Sequence, residues 1–461
     1  MRLSEAAIPL SARVQGDDVM FGGVSTDTRT LQPGNLFVAL RGEHHDGHRF
    51  MEAAVGAGAA AALVDTDGAG SVPKALPALV VEDTRLALGQ LGAHWRNRFA
   101  IPLVGLTGSS GKTTVKEMLA SILREAAASV VGHDAAGEAV LATRGNLNND
   151  IGMPLMLLAL TAAHRYAAIE MGMNHAGELR YLTQIARPDV ALVTNAGTAH
   201  IEYLGSEEAI AQAKGEIFEG LDAEGTAVIN ADDRFAPLWR EAAADRPRIE
   251  FALEQPAAVK GTYQLHDLDS EIVITTPGGR ASTRVHAPGV HNVRNALAAA
   301  AAAVALDIPL NEIATGLASY AGIKGRLQRK SGFNGAVLID DTYNANPESV
   351  RAAIDVLASS SSSKVLVFGD MGELGANAPR LHSEVGAYAK AAGIDRLMTL
   401  GEQSNRSARA FGAGARHYDS IEDLVVDLRT AAASGVTMLV KGSRFMRMER
   451  VIAALQASDS K

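Results

Sequence analysis

The sequence contains no cysteine among its 461 residues, and this absence narrows the chemistry open to the protein. A disulfide framework is excluded, and so is any metal site built from thiolates. A metal ion would have to bind oxygen or imidazole ligands instead. Mg²⁺ prefers oxygen ligands, so magnesium is the metal that this composition suits.

The sequence also lacks a basic excess, since its formal net charge is −9. This balance argues against a general nucleic-acid binder, which usually carries more basic than acidic residues. The N-terminus has no cationic start followed by a long apolar run, so we expect no signal peptide. The longest apolar stretch, residues 296–306, is shorter than the ~20 residues that a membrane helix needs. We therefore expect a cytoplasmic protein with no nucleic-acid partner and no membrane insertion.

The length of the chain predicts two to four domains, at roughly 150 residues per domain. A hydrophobic fraction of 47% is enough for packed cores. Short apolar runs alternate with longer helical patterns, which is typical of α/β folds with largely parallel sheets. The predicted strands are residues 103–106, 166–169, 190–194, 227–229, 337–339, 365–368, 397–400 and 437–440.

Three blocks are predicted, namely a mixed α/β N-terminal domain, a central domain and a C-terminal domain, at residues 1–99, 100–327 and 328–461. Within the central block, residues 257–287 alternate between apolar and polar side chains. That pattern predicts an antiparallel addition before an alanine-rich helix. A run of five serines, residues 359–363, predicts a solvated turn or linker in the third block.

The strongest chemical signal is a glycine loop between a predicted strand and a predicted helix, with the sequence Thr107-Gly108-Ser109-Ser110-Gly111-Lys112-Thr113-Thr114. Glycines let backbone N–H groups face an anion, and the helix points its positive end at the same place. Lys112 is expected to reach the β- and γ-phosphates of ATP, and the Thr113 hydroxyl to bind Mg²⁺. The general P-loop pattern requires glycine at position 106, where this chain has Leu106, so the loop is a variant.

Further polar candidates follow predicted strands, at the edge where open α/β sheets bind ligands. Glu170 ends one strand and can hold Mg²⁺ directly or through water. His200 follows another strand. A lone histidine is more often structural than a ligand, but the loop beside this one makes a functional role about as well supported as a structural one. Asp340 and Asp341 follow the strand at residues 337–339 and could hold a ribose hydroxyl. Lys214 lies on a predicted helix, residues 207–221, and by itself has the character of a surface lysine.

Residues before and after the alanine-rich helix are candidates for the nucleotide. Asn292 and Asn295 can read an adenine edge, because an amide side chain both donates and accepts hydrogen bonds. Arg326 can neutralise phosphate charge with its fork of donors.

The glycine loop, with an aliphatic residue before Thr107, resembles the nucleotide loop of the Mur ligases. These are ATP-dependent enzymes that form amide bonds in peptidoglycan assembly. The resemblance extends along nearly the whole chain and is carried by residues 25–29, 34–40, 46–48, 145–154, 170–172, 195–200 and 213–218. It implies a central P-loop-type ATPase domain, a C-terminal Rossmann-like ligase domain and a smaller N-terminal domain that binds the UDP-sugar.

The third block resembles the family members that add D-alanyl-D-alanine, through residues 340–347, 369–375 and 441–444. Members that add the third residue of the peptide would carry an Asp-Asn-Pro-Arg motif. Here the stretch is Asn344-Ala345-Asn346-Pro347-Glu348, with no arginine after the proline. The resemblance implies that the substrates are ATP, UDP-N-acetylmuramoyl-tripeptide and D-alanyl-D-alanine. The tripeptide carboxylate would become an acyl phosphate, which the dipeptide amine attacks to give the pentapeptide, ADP and phosphate.

The resemblance also assigns roles to individual residues. Catalytic roles fall to Lys112, His200, Lys214 and Arg326. The implied ligands of Mg²⁺ are Thr113, Glu170, His200 and Lys214, the last as a carbamate (N6-carboxylysine). The nucleotide would contact residues 108–114, Asn292, Asn295, Arg326 and Asp340. The other substrates would contact Ser25, Asp27, Arg29, Asn148, Asn149, Asp370 and Arg444, of which Asp370 and Arg444 would hold the dipeptide.

Two other functions are open from the residues alone. A folate polyglutamate ligase shares the loop type but would not need the uridine-like N-terminal block. A non-catalytic ATP switch would not need Lys112, Glu170, His200 and Lys214 together. The third residue of the tripeptide, meso-diaminopimelate or lysine, is open as well. We expect a monomer, and closure of the third block onto the second, because both carry nucleotide residues.

Overall fold

The computed structural model describes residues 1–43, 45–199, 201–267 and 269–457. Three sheets of five, nine and six strands organise the chain. They span residues 13–81, 103–285 and 328–441, so each sheet falls inside one predicted block. The prediction of a three-domain α/β fold is confirmed. In the described part of the chain, no helix is both long and apolar enough to cross a membrane.

The N-terminal domain is a five-stranded sheet in the order β1-β5-β4-β3-β2, with only β1 antiparallel. Strands β4 and β5 are buried at every position, as expected for parallel strands covered on both faces. The elements are α1 (Leu3–Leu10), β1 (Arg13–Gln15), β2 (Gly23–Ser25), β3 (Asn35–Val38), α2 (Met51–Gly56), β4 (Ala61–Asp65), β5 (Ala78–Val81) and α3 (Thr84–Arg96), with 3-10 turns at Gly47–Phe50 and Ala69–Ser71.

The central domain is a nine-stranded sheet in the order β14-β13-β12-β11-β10-β9-β6-β8-β7. Its elements are β6 (Leu103–Thr107), α4 (Lys112–Val131), α5 (His133–Ala136), β7 (Val140–Ala142), α6 (Gly152–Leu158), β8 (Tyr166–Glu170), α7 (Glu178–Ala186), β9 (Val190–Val193), α8 (Ile201–Leu204), α9 (Glu207–Gly215), β10 (Thr226–Asn230), α10 (Ala236–Ala242), β11 (Arg248–Ala252), β12 (Val259–Leu265), β13 (Ser270–Thr276), β14 (Gly279–Val285), α11 (Val290–Val304) and α12 (Leu310–Ala318), with a 3-10 helix at Glu216–Gly220.

The antiparallel addition predicted for residues 257–287 is confirmed, because β12, β13 and β14 pair antiparallel at one edge of the sheet. On one face of the sheet, α4 packs against α11 and α12. A Cβ at Gly316 would lie 2.4 Å from the Cα of Ile122, so glycine is what lets α12 approach α4 so closely.

The C-terminal domain is a six-stranded sheet in the order β15-β16-β20-β17-β18-β19, with only β15 antiparallel. Apolar cores lie on both of its faces, which is the Rossmann-like arrangement expected. The elements are β15 (Gln328–Ser331), β16 (Val337–Asp341), α13 (Pro347–Ala358), β17 (Ser363–Gly369), α14 (Ala378–Ala391), β18 (Arg396–Leu400), α15 (Ser404–Phe411), β19 (Ala415–Tyr418), α16 (Ile421–Ala431), β20 (Val436–Lys441) and α17 (Glu449–Leu455), with 3-10 turns at Phe333–Gly335, Gly375–Asn377 and Arg444–Met446.

All eight predicted strands are present, and no predicted end differs from the observed one by more than two residues. Residues 359–362 of the serine run form a turn between α13 and β17, as predicted, whereas Ser363 is already the first residue of β17. The helix predicted at residues 207–221 is wrong in its second half. It ends at Gly215 and continues as the 3-10 helix, where the Thr183 hydroxyl donates to the carbonyl of Ile217 at 2.8 Å. That contact and the close approach of Gly220 to Thr183 favour the tighter turn.

Candidate active site

The phosphate loop connects β6, near the middle of the central sheet, to α4. Gly111 has a φ of 81° and directly precedes the helix, so a left-handed residue starts it. A Cβ at Gly111 would lie 2.4 Å from the Asn295 side-chain oxygen, and one at Gly108 only 1.8 Å from the Thr194 hydroxyl. Glycine is therefore required at both positions. The free N–H groups of the first turn of α4 then face the cleft, where they can bind an anion.

The segment after β9 holds this loop in shape. The backbone N–H of Ser109 donates to the Asn195 carbonyl at 3.0 Å, and that of Ser110 donates to the Asn195 side chain at 2.9 Å. The Thr194 hydroxyl donates to the Ser110 carbonyl at 2.8 Å. The protein's own groups therefore hold the loop in this shape.

Lys112 folds back over the loop, where its Nζ donates to the carbonyl of Gly108 at 2.6 Å. Burial lowers the pKa of Lys112, the negative charge of Glu170 opposes that shift, and the positive charge of Arg326 adds to it. The charges of Glu170 and Arg326 therefore both act on the Lys112 ammonium group.

Glu170 ends β8 beside the loop and is buried. One of its oxygens, Oε1, accepts from the Asn148 amide at 2.8 Å, while Oε2 has no hydrogen-bond partner among the described residues. Arg326 donates to the Thr113 hydroxyl at 2.9 Å. An unpaired buried carboxylate oxygen is costly unless a cation or donor completes it.

A magnesium ion fits this arrangement. Mg²⁺ is usually held by one or two carboxylates together with substrate phosphates, rather than by a cage of protein ligands. Within the described ranges, no three His, Asp or Glu side chains form a metal-ligand cluster. The free oxygen of Glu170 and the hydroxyl of Thr113 are the ligands that the chain offers beside the phosphate loop.

Lys214 is buried on α9, with 1% of its surface exposed, so the surface-lysine interpretation is wrong. Burial, and secondarily the positive charge of Lys112, hold the pKa of Lys214 well below its ordinary value of 10.5. Its side chain does not line the cleft. A buried amine with a lowered pKa is neutral over more of the pH range, and a neutral amine is nucleophilic.

The phosphate loop opens into a cleft of about 1820 Å³ between the central and C-terminal domains. From the central domain it is lined by the loop, Glu170, Asn292 and Asn295, and from the third block by Asp341, Tyr343 and Arg444, among others. Of the described residues that line it, none comes from the N-terminal domain.

The third block already touches the central domain across this cleft. Asn346 is the N-cap of α13, and its side-chain amide donates to the Ser110 hydroxyl at 3.1 Å. The Glu348 carboxylate accepts from the Thr198 backbone N–H at 3.0 Å and from its hydroxyl at 2.9 Å. The first turn of α13 therefore contacts both the phosphate loop and the segment that supports it.

The sequence that builds this cleft is similar to those of known proteins. Three sequence models match consecutive parts of the chain: "Mur ligase family, catalytic domain" at residues 21–96, "Mur ligase middle domain" at 106–303, and "Mur ligase, glutamate ligase domain" at 325–444. The UDP-N-acetylmuramoyl-tripeptide--D-alanyl-D-alanine ligase of Escherichia coli (strain K12) is 42% identical over 465 residues, covering 98% of this chain and 98% of that protein. The chain belongs to the Mur ligase family.

Solved structures of Mur ligases agree in fold. A crystal structure of MurF from Acinetobacter baumannii is 36% identical, with a TM-score of 0.89 over 98% of this chain and 97% of that chain. MurF ligase from Thermotoga maritima, solved in complex with ADP, is 26% identical, with a TM-score of 0.82 over 94% of this chain and 96% of that chain. The predicted family is confirmed.

Most of the residues expected in a Mur ligase site converge on the cleft. Those that line it are Ser109, Ser110, Gly111, Lys112, Thr113, Thr114, Asn148, Asn149, Glu170, Asn292, Asn295, Arg326 and Arg444. Gly108 adjoins them through its carbonyl, which accepts from Lys112. His200 lies outside the described residues.

Asp340 does not line the cleft, in contrast to the expectation that it meets the nucleotide. It is buried, and its carboxylate accepts from the Lys330 ammonium at 2.8 Å and from the Thr342 hydroxyl at 2.7 Å. The next residue, Asp341, does line the cleft and accepts from Lys441 at 2.6 Å. Because successive side chains of a strand point to opposite faces, a shift of one residue exchanges the two carboxylates.

Asp370 does not line the cleft either. Its carboxylate accepts from the backbone N–H groups of Gln403 and Ser404, at 3.1 and 2.7 Å, where α15 begins. A strand-end acid here caps a helix, so the structure does not bring it to the position expected for a dipeptide contact.

Ser25, Asp27 and Arg29 lie together at the end of β2, away from the cleft. Asp27 makes a bidentate ion pair with Arg29. Hydrogen bonds from Arg29 lower the pKa of Asp27 to about 2. The Ser25 hydroxyl bonds the Asp27 backbone, so this turn is ordered by its own side chains. Any role in binding the uridine nucleotide stays a prediction.

Sequence reasoning missed three residues of the cleft. Tyr343 lies under the Arg326 guanidinium, 4.4 Å from its ring centre. Asn346 and Glu348 make the contacts between domains. Asn346 was detectable as an N-cap before a proline, whereas the partners of Tyr343 and Glu348 come from distant parts of the chain.

Proposed function

We propose that this Mur ligase joins D-alanyl-D-alanine to UDP-N-acetylmuramoyl-tripeptide at the expense of ATP, as a cytoplasmic monomer. One observation carries the proposal. The same cleft is lined by the phosphate loop, by Glu170 with its unpaired carboxylate oxygen, and by the positively charged Lys441 and Arg444 of the C-terminal domain. The Escherichia coli relative that carries this activity in its name aligns over nearly its whole length. We propose domain boundaries at residues 1–99, 100–327 and 328–461.

ATP would bind with its phosphates on the loop and on the N-terminus of α4. Lys112 would leave the Gly108 carbonyl for the β- and γ-phosphates. Asn292 and Asn295 face the cleft and suit the adenine. Asp341 takes the place that we expected of Asp340 as the ribose contact, because it is the carboxylate on the cleft surface.

Thr113 and Glu170 would hold Mg²⁺, which supplies positive charge to offset that of the phosphates. Arg326 now donates to the Thr113 hydroxyl, so it would release that oxygen and turn its guanidinium toward the phosphates. Lys112 and Arg326 would then lower the repulsion between two anions that must meet, the tripeptide carboxylate and the γ-phosphate.

Lys214 is suited to carbamylation. Its neutral amine would attack CO₂ and release one proton, and the product carbamate is an anion. The reaction replaces a neutral amine with a negative charge, which the positive charge of Lys112 favours, whereas it disfavours a protonated Lys214. A carbamate would also offer an oxygen ligand to a metal ion.

The reaction consists of two displacements, first of ADP from the γ-phosphorus and then of phosphate from the acyl carbon. A tripeptide carboxylate oxygen bonds to the γ-phosphorus and the bond to ADP breaks, giving an acyl phosphate. The neutral dipeptide amine bonds to the acyl carbon, the bond from that carbon to the phosphate oxygen breaks, and inorganic phosphate leaves. The nitrogen gives up one proton to solvent as the amide forms. Contacts between α13 and the loop segment would help to exclude water during this sequence, which protects the acyl phosphate.

The remaining substrate contacts follow from placement. Arg444 is exposed on the cleft and would bind a carboxylate of the dipeptide. Asn148, which donates to Glu170, and Asn149 both line the cleft and would contact the peptide portion of the nucleotide. Ser25, Asp27 and Arg29 would bind the uridine end.

The test is a coupled ADP-release assay with tripeptide nucleotides that end in meso-diaminopimelate or lysine. We expect release to require both the nucleotide and D-alanyl-D-alanine, and one of the two tripeptides to be preferred. A free tripeptide without the uridine nucleotide should work poorly. Turnover with a folate and glutamate, or ADP release that ignores both peptide substrates, would contradict the proposal.

A further inference from the structure

Lys116 is a buried cation to which the proposed mechanism gives no role. It lies on α4 one turn after Lys112, and only 2% of its surface is exposed. It does not line the cleft. Burying an ammonium group is costly unless it is paired and hydrogen-bonded, so its partners show what the position is for.

Lys116 has two partners of different kinds. Its Nζ forms an ion pair with Glu117, the next residue, whose side chain is 33% exposed. It also donates to the backbone carbonyl of Thr143 at 2.7 Å, and that contact is buried. Thr143 follows β7 directly and begins the segment that leads to α6 at Gly152.

Thr143 in turn holds the proposed metal ligand. Its hydroxyl accepts from the backbone N–H of Glu170 at 2.9 Å, and it is 1% exposed. The Glu170 carboxylate then accepts from Asn148, which lies on the loop after Thr143. The chain of contacts from Lys116 through Thr143 therefore reaches both Glu170 and the loop expected to meet the peptide.

We propose that Lys116 is a positioning residue for the Mg²⁺–nucleotide site. By fixing Thr143, it sets where the backbone of Glu170 lies and therefore where the free carboxylate oxygen points. It acts through other groups and touches neither substrate nor metal. The inference rests on the proposed function, because it takes Glu170 as the metal ligand.

Electrostatics gives the opposite expectation, which makes the inference testable. Replacing Lys116 with a neutral residue removes a positive charge near the site, and Coulomb's law then predicts tighter binding of Mg²⁺. Loss of positioning predicts weaker binding. Removing an outer partner of a metal ligand usually lowers metal affinity 10- to 100-fold.

The experiment measures Mg²⁺ affinity, by calorimetric titration of Mg²⁺ into the full-length protein saturated with ADP. We expect Lys116→Met to weaken Mg²⁺ binding on the order of ten-fold, while the affinity for ADP without Mg²⁺ stays within about two-fold. The matched control is Glu117→Gln, which removes the ion pair but keeps the Thr143 contact. It should leave Mg²⁺ affinity nearly unchanged.

A second pair of variants keeps the test decisive if Lys116→Met does not fold. Thr143→Val removes the oxygen that accepts from Glu170, and Thr143→Ser keeps it. We expect Mg²⁺ to bind more weakly to the valine variant than to the serine variant. Equal affinities in this pair, or a Lys116→Met protein that melts at a lower temperature with unchanged or tighter Mg²⁺ binding, would overturn the inference. A wild-type protein that binds Mg²⁺·ADP but ligates no peptide would instead contradict the proposed function.

Discussion

Glu348 at the start of α13 reaches across the cleft to Thr198, and replacing it with alanine should loosen the two domains. Two hydrogen bonds to a charged acceptor are lost. Such bonds contribute roughly 1.5–3 kcal/mol each when buried, and less for a half-exposed carboxylate. A total of about 2 kcal/mol would shift the closing equilibrium about 30-fold toward the open form. Glu348→Gln should lie between, because its amide oxygen still accepts.

The assay combines small-angle scattering with kinetics. With tripeptide nucleotide and a non-hydrolysable ATP analogue, we expect Glu348→Ala to scatter as a larger particle than wild type, and its kcat/KM to fall on the order of 10- to 30-fold. The matched control is Glu384→Ala, which removes ion pairs to Arg351 and Arg380 within the third block. If Glu348→Ala matched wild type in both measurements, the idea that the contact between Glu348 and Thr198 holds the two domains together would be refuted.

Four further predictions concern the cleft and the buried Lys214, which does not line it. Tyr343→Leu should lower kcat on the order of ten-fold while Tyr343→Phe keeps most activity, because a ring under the Arg326 guanidinium is what positions it; equal losses in a steady-state assay would contradict this. Lys214→Met should abolish ligation yet raise the melting temperature, since the folded protein no longer buries an amine with a lowered pKa; full activity, or a lower melting temperature, would contradict it. In wild type, bicarbonate should increase activity, and the gain should fade as the pH drops and Lys214 becomes protonated. Asp341→Asn should weaken ADP binding by calorimetry more than Asp340→Asn does, and the reverse order would restore the original expectation.

Elements that depend on local pattern could be predicted from the sequence. Each predicted strand is a short apolar run, and burial selects such runs wherever they lie in the chain. The phosphate loop could be predicted too, because Gly108 and Gly111 meet backbone requirements that only glycine satisfies. The position of this loop directly after a strand also predicts that the phosphate site lies at the carboxyl end of that strand.

Features that depend on residues far apart in the chain could not be predicted from the sequence. Lys214 looked like a surface residue, because its burial is set by packing that the spacing of its own helix does not reveal. Asp341 rather than Asp340 lines the cleft, and this difference depends on one step of strand register, which a pattern of polar residues does not fix. The buried path from Lys116 to Glu170 joins three segments of the chain, and none of its contacts is local apart from the ion pair with Glu117.

The central claim is that the γ-phosphate of ATP passes to a peptide carboxylate before the amide forms. It can be measured with a tripeptide nucleotide whose terminal carboxylate carries ¹⁸O, by mass spectrometry of the phosphate released. We expect each phosphate to contain one oxygen from the labelled carboxylate, and the pentapeptide nucleotide to form in equal amount. Phosphate that carries no label, or that forms without joined peptide, would contradict the account.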